Sequence, residues 1–365
     1  MANSAKSYSH WKYTLSIIDT VYSIALILIF LGSGLSLSLE VFLKSLGING
    51  YFLTAVFLLA VFLLYYLFNL PFSLYSGFIL EHRFNLTKQR IGDWWLDQLK
   101  SSVLGYVFSL ILILTFYWVL SKFSQWWFMI SVFWIIFSII LAKLTPVFII
   151  PLFFKYKQLE DQLLRQRIFG LAQKMQINIL DVFEIDFSKK TLKANAAFTG
   201  MGKTKRVILA DTLKDKYTND EVEVILAHEF AHYQLRHIIK LIAINSLITL
   251  GLFYLIFKTN SYFLEVFKLD SLAQLAGLPL VFLYFIVFGI VTRPLEAFIS
   301  RSFEKEADNL ALKVTNSKEA FISLMEKLAG QNLADRSPHP LIKLFFFDHP
   351  PIDERIALAR EYLSS

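Results

Sequence analysis

The sequence predicts a mostly α-helical, polytopic membrane protein with a mixed α/β segment outside the membrane. Of its 365 residues, 56% are hydrophobic and 18% are charged, whereas ordinary soluble domains carry roughly 25% charged residues. Six apolar runs are each about as long as the twenty residues that a bilayer requires. Between the fourth and fifth runs, residues 155–236 have the charged, mixed composition of a soluble protein.

The six apolar runs are interrupted at only a few positions. Pro71 predicts a kink near the end of the second run, and Pro146 and Pro151 break the fourth. Residues 40–49 are predicted to form a turn region, and residues 81–100 a polar connector. The predicted spans cover residues 15–37, 51–70 with an apolar continuation to 80, 103–120, 126–153, 238–257 and 272–291.

This pattern divides the chain into four parts. Two consist of membrane helices, and two are extramembrane segments that carry the candidate site. The parts are residues 1–152 with helices one to four and a loop at 81–101, residues 153–237 with the H-E-x-x-H motif, residues 238–298 with helices five and six, and residues 299–365. Within the second part we expect a helix at 158–176, strands at 182–185 and 207–209, and a motif helix at 220–232 capped by Asn219 or Asp220.

Six spans place both termini on one side of the membrane, together with all the long polar segments. The loops on the opposite side are short, and their basic residues are Lys44, Lys122, Lys258 and Lys268. Because basic residues concentrate in cytoplasmic loops, the polar segments are predicted to be cytosolic. The membrane is expected to be a bacterial inner membrane or the endoplasmic reticulum.

Composition also bounds the partners. The net charge is +7. In a membrane protein, such an excess of Lys and Arg reflects the orientation of the loops and their contact with membrane lipid. No dense basic cluster with interleaved aromatic residues is present, so nucleic acid is not an expected partner. The sequence contains no cysteine, which excludes disulfides, thiolate metal ligands and a cysteine nucleophile.

The candidate site centres on the motif His228-Glu229-Phe230-Ala231-His232. Residues four apart share a helix face, so both histidines can reach one metal ion. Glu229 stands where a zinc peptidase places its general base. Apolar neighbours predict a buried helix, and buried imidazoles need partners. A catalytic zinc keeps three protein ligands, so one more is required.

Residues 304–308 supply the candidate third ligand. Glu304 and Asp308 are four apart and share a helix face, whereas Glu306 points elsewhere. Glu304 is therefore the predicted ligand, and Asp308 is placed to hydrogen-bond a ligating histidine. The alternative is an acidic, solvated turn beside Arg301 and Lys305.

H-E-x-x-H followed about seventy residues later by E-x-x-x-D resembles the integral-membrane zinc CAAX prenyl proteases, type 1. The segment 195–200, N-A-A-F-T-G, is similar to the family's edge segment, and 205–213 to its adjoining strand. His349-Pro350-Pro351 with Arg355 resembles its C-terminal H-P-P-x-x-x-R motif. The resemblance covers residues 14–365 and implies six to seven helices around a chamber, with a cytosolic zincin-like α/β protease domain.

The resemblance also implies site roles. One zinc ion would be held by His228, His232 and Glu304, with Glu229 as the base. Asn195 would line the substrate groove, next to a strand that pairs with the peptide, and His349 and Arg355 would hold substrate or stabilise the oxyanion. Two alternatives stay open: Asn195 as a turn residue, and Arg355 as a partner of Asp353 or Glu354.

Two departures from the family's eukaryotic members are expected to mark a compact, prokaryotic member. An additional N-terminal span is not found, and the long insertion before the zinc helix is missing, since residues 211–220 are short. The expected substrate is a peptide or protein. Whether it is prenylated stays open, because a cell without protein prenylation offers no prenylated substrate.

Three functions compete. The first is a CAAX-type endopeptidase, and the second a membrane quality-control protease like the heat-shock protease HtpX. HtpX-like chains have fewer spans, so six spans favour the first. The third is a transporter or channel with an incidental motif, which predicts polar residues at the middle of several spans; few are found.

Overall fold

The computed structural model describes residues 2–200, 205–214 and 216–362. Within them lie six helices long and apolar enough to cross a membrane, which agrees with the number of spans predicted from sequence. Several of these helices extend past the predicted bilayer segments. The candidate spans are Ser4–Gly32, Gly50–Arg83, Ile91–Lys122, Trp126–Phe153, His237–Val266 and Leu275–Thr315.

Among the described residues, the membrane part contains nine α-helices, some of which join end to end within one span. Two short π-helical segments, Tyr75–Ile79 and Thr145–Ile149, lie inside the second and fourth spans. The helices are α1 (Ala2–Gly32), α2 (Leu35–Ser45), α3 (Gly50–Leu74), α4 (Leu80–Arg83), α5 (Ile91–Lys122), α6 (Trp126–Leu144), α7 (Ile150–Phe153), α10 (His237–Val266) and α11 (Leu278–Thr315).

The end of the first span was predicted wrongly. Gly34 has φ +74°, a left-handed conformation that glycine adopts without steric cost, and α1 ends at Gly32 rather than at residue 37. The predicted turn region, residues 40–49, is helix α2 as far as Ser45 and a turn only at residues 46–49. Glu40 is buried there because its Oε2 accepts a hydrogen bond from the Ala276 amide at 2.7 Å, and Lys44 pairs with its Oε1.

The predicted proline sites fall at irregular but continuous helix. Pro71 lies inside α3, four residues before the first π-helical segment, and Pro146 lies within the second. A π-helical turn accommodates local disruption of the hydrogen-bond ladder without ending the helix. Each span therefore continues past its proline.

The extramembrane unit is a four-stranded sheet covered by helices. The strand order is β1-β2-β4-β3; β2 and β4 are parallel, and β3 lies at one edge, antiparallel to β4. The strands are β1 (Tyr156–Gln158), β2 (Asp181–Ile185), β3 (Ala196–Thr199) and β4 (Arg206–Ala210). The helices are α8 (Gln162–Lys174), α9 (Asn219–Gln234), α12 (Lys318–Gln331), α13 (Pro340–Phe346) and α14 (Ile352–Glu361).

Helix α9, which carries the H-E-x-x-H motif, begins with a capping box rather than with the predicted Asn219 or Asp220 cap. Thr218 is the N-cap: its Oγ1 accepts from the Glu221 amide, and Glu221 Oε2 accepts from the Thr218 amide at 2.8 Å. The Glu221 carboxylate is buried and also accepts from Lys327 Nζ and Ser323 Oγ of α12. The start of the motif helix is thus tied to α12.

Contacts bring the polar segments to one face of the membrane bundle. The Leu192 amide donates to the Leu86 carbonyl at 2.8 Å, and Lys193 pairs with Glu81 at 3.0 Å. Tyr8 of α1 also donates to Glu81, at 2.6 Å. The N-terminal end of α1, the connector after the second span and the segment before β3 therefore lie together, as the span count predicts.

Glu221→Gln should destabilise the fold at neutral pH by about 1.5–3 kcal/mol, the worth of a charged hydrogen bond. Burial raises the pKa of Glu221, but hydrogen bonds from Lys327, Ser323 and the Thr218 amide outweigh it and leave the pKa below its usual value. A carboxylate with a lowered pKa stabilises the fold above its unfolded pKa of about 4.3, and this contribution is lost as pH falls through the folded value.

Thermal unfolding of the detergent-solubilised wild type and variant, measured from pH 7 downward, tests this. The difference between the unfolding temperatures of the wild type and Glu221→Gln should become smaller as the pH falls below about 4.3. Glu319→Gln, at an exposed position in α12, serves as the control and should unfold like the wild type at every pH. A difference that stays constant with pH would contradict the assigned role of the charge.

Candidate active site

The two motif histidines lie on one face of α9, as the spacing predicts. Their neighbours Ala227, Phe230 and Ala231 are fully buried in the extramembrane core, which fixes the rotation of the helix. His228 Nε2 and His232 Nε2 are 3.1 Å apart. Two imidazole nitrogens from successive turns are thus aimed at one point.

Glu304 reaches the same point from α11, the helix that also forms the sixth span. Its Oε2 is 3.1 Å from His228 Nε2, and its Oε1 is 3.3 Å from His232 Nε2. Among the described residues, these three side chains form the group whose donor atoms could share a metal ion. Glu304 is buried, so the acidic, solvated turn is not what the structure contains.

The donor set fits a zinc ion. Zinc–nitrogen and zinc–oxygen bonds of about 2.0–2.2 Å in a tetrahedral site imply donor separations of about 3.3 Å, close to those observed. Glu304 Oε2 is buried and lacks a hydrogen-bond partner, although His228 Nε2 and His349 Nδ1 lie 3.1 and 2.7 Å away. Contacts this close that lack hydrogen-bond geometry are typical of donor atoms that share one cation.

Asp308 orients His228. The His228 Nδ1–H donates to Asp308 Oδ1 at 2.8 Å, which leaves the Nε2 lone pair free for a metal. Asp308 is completely buried. Its placement one turn after Glu304 is the one that the E-x-x-x-D spacing predicts.

Arg355 is the charge partner of Asp308. Its Nε and Nη2 contact the two Asp308 oxygens at 2.8 and 2.6 Å. The alternative pairing with Asp353 or Glu354 is wrong, because those carboxylates pair with Arg336 and Lys343. The local pair was plausible from sequence, but the first residues of α14 direct their carboxylates away from Arg355.

The electrostatics of the site favour a bound cation. Glu229, Glu304 and Asp308 face one guanidinium, that of Arg355, so with neutral imidazoles the cluster has an excess of two negative charges. Burial lowers the pKa of His228, but Asp308 and Glu304 outweigh burial and raise it to about 9, so the carboxylates draw positive charge to this ring, either a proton on it or a cation beside it. Excess buried charge is costly unless it is compensated, and a divalent ion would compensate it.

A cleft of about 420 Å³ opens beside His228, one of the three donors. Glu229 lines it, half-buried, and its carboxylate accepts no hydrogen bond from the described residues. Asn195 and His349 are exposed on the cleft walls, and Arg355 lies at its base. All four residues predicted to act on the substrate therefore border one cavity.

Several residues that shape this region were missed from sequence. His237, taken as the residue before the fifth span, is buried with its Nδ1 3.0 Å from His232 Nδ1. Arg301 of α11 donates to the Phe347 carbonyl at 2.7 Å, and Arg293 pairs with Asp348 at 2.8 Å. These arginines anchor the segment that carries His349, and no local sequence pattern signals such long-range bonds.

A helical membrane bundle joined to an α/β unit, in which an H-E-x-x-H helix brings two imidazoles against a buried carboxylate, defines the class of integral-membrane metallopeptidases. Comparison with known proteins gives the family. Residues 2–155 match the family described as CAAX prenyl protease N-terminal, five membrane helices, and residues 158–363 match peptidase family M48. The first interval holds four candidate spans among the described residues.

Relatives and a solved structure cover nearly the whole chain. An uncharacterized metalloprotease of Bacillus subtilis, YhfN, is 30% identical over 98% of this chain and 85% of its own length. CAAX prenyl protease 1 of Saccharomyces cerevisiae is 30% identical over 99% of this chain and 86% of its own. The crystal structure of Ste24p from S. mikatae matches with a TM-score of 0.87 and 28% identity, over 98% of this chain and 88% of that one.

The chain belongs to peptidase family M48 and is a multi-pass membrane metalloprotease homologous to CAAX prenyl protease 1. The predicted family, fold class and enzyme class are confirmed. Family M48 peptidases are zinc metalloproteases that act on peptide or protein substrates, and the chain contains a His-His-Glu group suited to zinc.

Asp308→Asn should weaken zinc binding by about 10–100-fold, the usual effect of losing an outer-shell partner. The amide oxygen can still accept from His228 Nδ1–H, but it carries no charge to raise the basicity of the imidazole. Chelator competition on the purified protein measures the dissociation constant. Asp353→Asn, which alters an exposed ion pair with Arg336, is the control. Equal affinity in Asp308→Asn and the wild type would contradict this role.

Proposed function

We propose that this protein is a zinc-dependent endopeptidase that cuts near the C-terminus of CAAX-type or other membrane-associated substrates, prenylated or unmodified. The observation that carries the proposal is the convergent group of His228, His232 and Glu304, of which His228 lines the cleft. The name of the yeast relative, CAAX prenyl protease 1, supports the substrate class.

His228, His232 and Glu304 are the proposed ligands of one zinc ion per chain. When bound, zinc supplies polarisation of the scissile carbonyl and activation of water. Asp308 supports His228 from behind, and Arg355 balances the charge of Asp308. The two hydrogen bonds that Arg355 gives to Asp308 favour a supporting role for its guanidinium over direct contact with the substrate.

Glu229 is the proposed general base. Its carboxylate borders the cleft next to the first ligand and is free to accept a proton from the attacking water. The same carboxyl group would then deliver that proton to the leaving amine. His349, exposed in the cleft with its Nδ1 2.7 Å from Glu304 Oε2, would face the oxygen on which negative charge develops.

The cleft suits an extended peptide. Strand β3 is an edge strand, so one side of its backbone can add a substrate strand by β-augmentation. Asn195, which precedes β3 and is exposed in the cleft, is placed to contact that peptide. The lining also includes the half-buried apolar side chains Leu328, Phe346 and Phe347, which suit aliphatic side chains of a substrate.

The active site is proposed to face the cytosol. The short loops on the opposite side carry few basic residues, which supports this orientation.

The four-part division of the chain at residues 152, 237 and 298 remains a proposal, and helix α11 runs through the last of these boundaries. A cleft at the membrane face would let a lipid-modified substrate keep its lipid in or near the bilayer.

Glu229→Gln should lower the rate of peptide hydrolysis by at least about 10²–10⁴-fold, the usual contribution of general acid–base catalysis. Zinc content should remain that of the wild type, because Glu229 is not a proposed ligand. Metal analysis and single-turnover cleavage of one peptide, run side by side, check both outcomes. Glu223→Gln, on the same helix but paired with Arg167 outside the cleft, is the control. Cleavage at the wild-type rate by Glu229→Gln would end the proposed mechanism.

A farnesylated C-a-a-X peptide and its unmodified twin, each with and without a chelator, test the substrate class. We expect the farnesylated peptide to be cleaved in the absence of chelator and not in its presence, because zinc is required. The unmodified peptide should be cleaved less, because the lipid raises the substrate concentration at the membrane face. Equal cleavage of both peptides would favour a quality-control protease. Cleavage that survives the chelator would overturn the zinc proposal.

A further inference from the structure

His237 is a buried histidine that the proposed mechanism does not use. Its side chain is 1% exposed, and its ring stacks on Phe303 with centroids 4.4 Å apart and planes 7° from parallel. Both ring nitrogens have partners: Nδ1 is 3.0 Å from His232 Nδ1, and Nε2 is 3.2 Å from Glu306 Oε2. A fully paired imidazole directly behind a candidate metal ligand calls for a physical role.

The backbone is shaped to make this contact. On an unbroken helix, residues five apart lie about 140° apart around the axis, so His237 would turn away from His232. Helix α9 ends at Gln234, and Arg236 adopts a left-handed conformation with φ +58° before α10 begins at His237. This conformation is unfavourable for a residue other than glycine, and it returns the His237 ring to the back of His232.

The hydrogen-bond chain fixes one tautomer for each ring. If His232 gives its Nε2 lone pair to a metal, its neutral imidazole carries the proton on Nδ1. That Nδ1–H must donate, so His237 Nδ1 must accept. His237 then carries its proton on Nε2, which donates to Glu306 Oε2. Each donor in the series meets one acceptor.

We infer that His237 and Glu306 are positioning residues that hold His232 in the tautomer and ring orientation required of a metal ligand. This inference rests on the proposed zinc site. Asp308 accepts a hydrogen bond from His228 and so orients that ring. Glu306 would orient His232 in the same way, but through the intervening imidazole of His237. Glu306, on α11 two residues after the third ligand and half exposed, is the outer carboxylate of this series.

The test measures zinc affinity of the purified full-length protein by chelator competition. His237→Phe keeps a ring that can stack on Phe303 but removes both hydrogen bonds, and should weaken zinc binding by about 10–100-fold. His237→Gln should restore most of that loss, because its amide oxygen can accept from His232 and its NH₂ can donate to Glu306. Glu306→Ala should give a smaller loss in the same direction.

His82→Phe provides the matched control, since it replaces a half-buried histidine outside the site and should leave the affinity unchanged. The visible spectrum of the cobalt-substituted protein gives a second readout, and should change in His237→Phe but return toward the wild type in His237→Gln. If His237→Phe does not fold, Glu306→Ala, at a half-exposed position, carries the test.

Wild-type affinity in both His237→Phe and Glu306→Ala would overturn the inference. So would a loss in His237→Gln equal to that in His237→Phe, since packing alone would then explain the effect. A wild-type protein that binds no zinc would instead overturn the proposed function, and with it this inference. The two failures are therefore distinguishable.

Discussion

The close packing of α9 against α11 is the interaction on which the rest of the site depends. The histidines are flanked on α9 by Ala227 and Ala231, and α11 contributes Ala307 and Ala311; all four are fully buried in one core. Small side chains at a helix–helix contact allow the two axes to approach closely. A larger residue there would push the α11 carboxylates away from the imidazoles, and the charged groups of the cluster would lose their partners.

This contact also joins the membrane bundle to the chemistry. Helix α11 spans 38 residues without interruption, from the sixth span to beyond Asp308, and α10 begins the fifth span only three residues after α9 ends. The two histidines and the carboxylate are thus each attached directly to a membrane helix. Since helices are stiff over this length, the membrane spans fix the distances between the donor atoms. Flexible loops would leave those distances variable.

Much of the fold and the central site could be predicted from sequence because they depend on local periodicity. Apolar run length gave six spans, and spacings of four residues placed His228 with His232 and Glu304 with Asp308. Most of the wrong or missing assignments depend on contacts distant in sequence or on irregular backbone that periodicity does not reveal. Glu40 of helix α2 accepts a hydrogen bond from the Ala276 amide. Arg355 pairs with Asp308 rather than with its neighbours in sequence. His237 contacts His232 only because Arg236 adopts a left-handed conformation.

Helix α11 anchors the segment that carries His349 and also supplies a carboxylate to the donor group. Its Glu304 lies beside the histidines, while its Arg301 binds the Phe347 carbonyl and its Arg293 pairs with Asp348. The segment that carries His349 is therefore anchored to the same rigid helix as the carboxylate it faces. A displacement of α11 relative to α9 would alter the donor separations, the support of His228 and the position of the segment that carries His349 together. The geometry of the site is consequently set by one helix–helix interface rather than by independent loops.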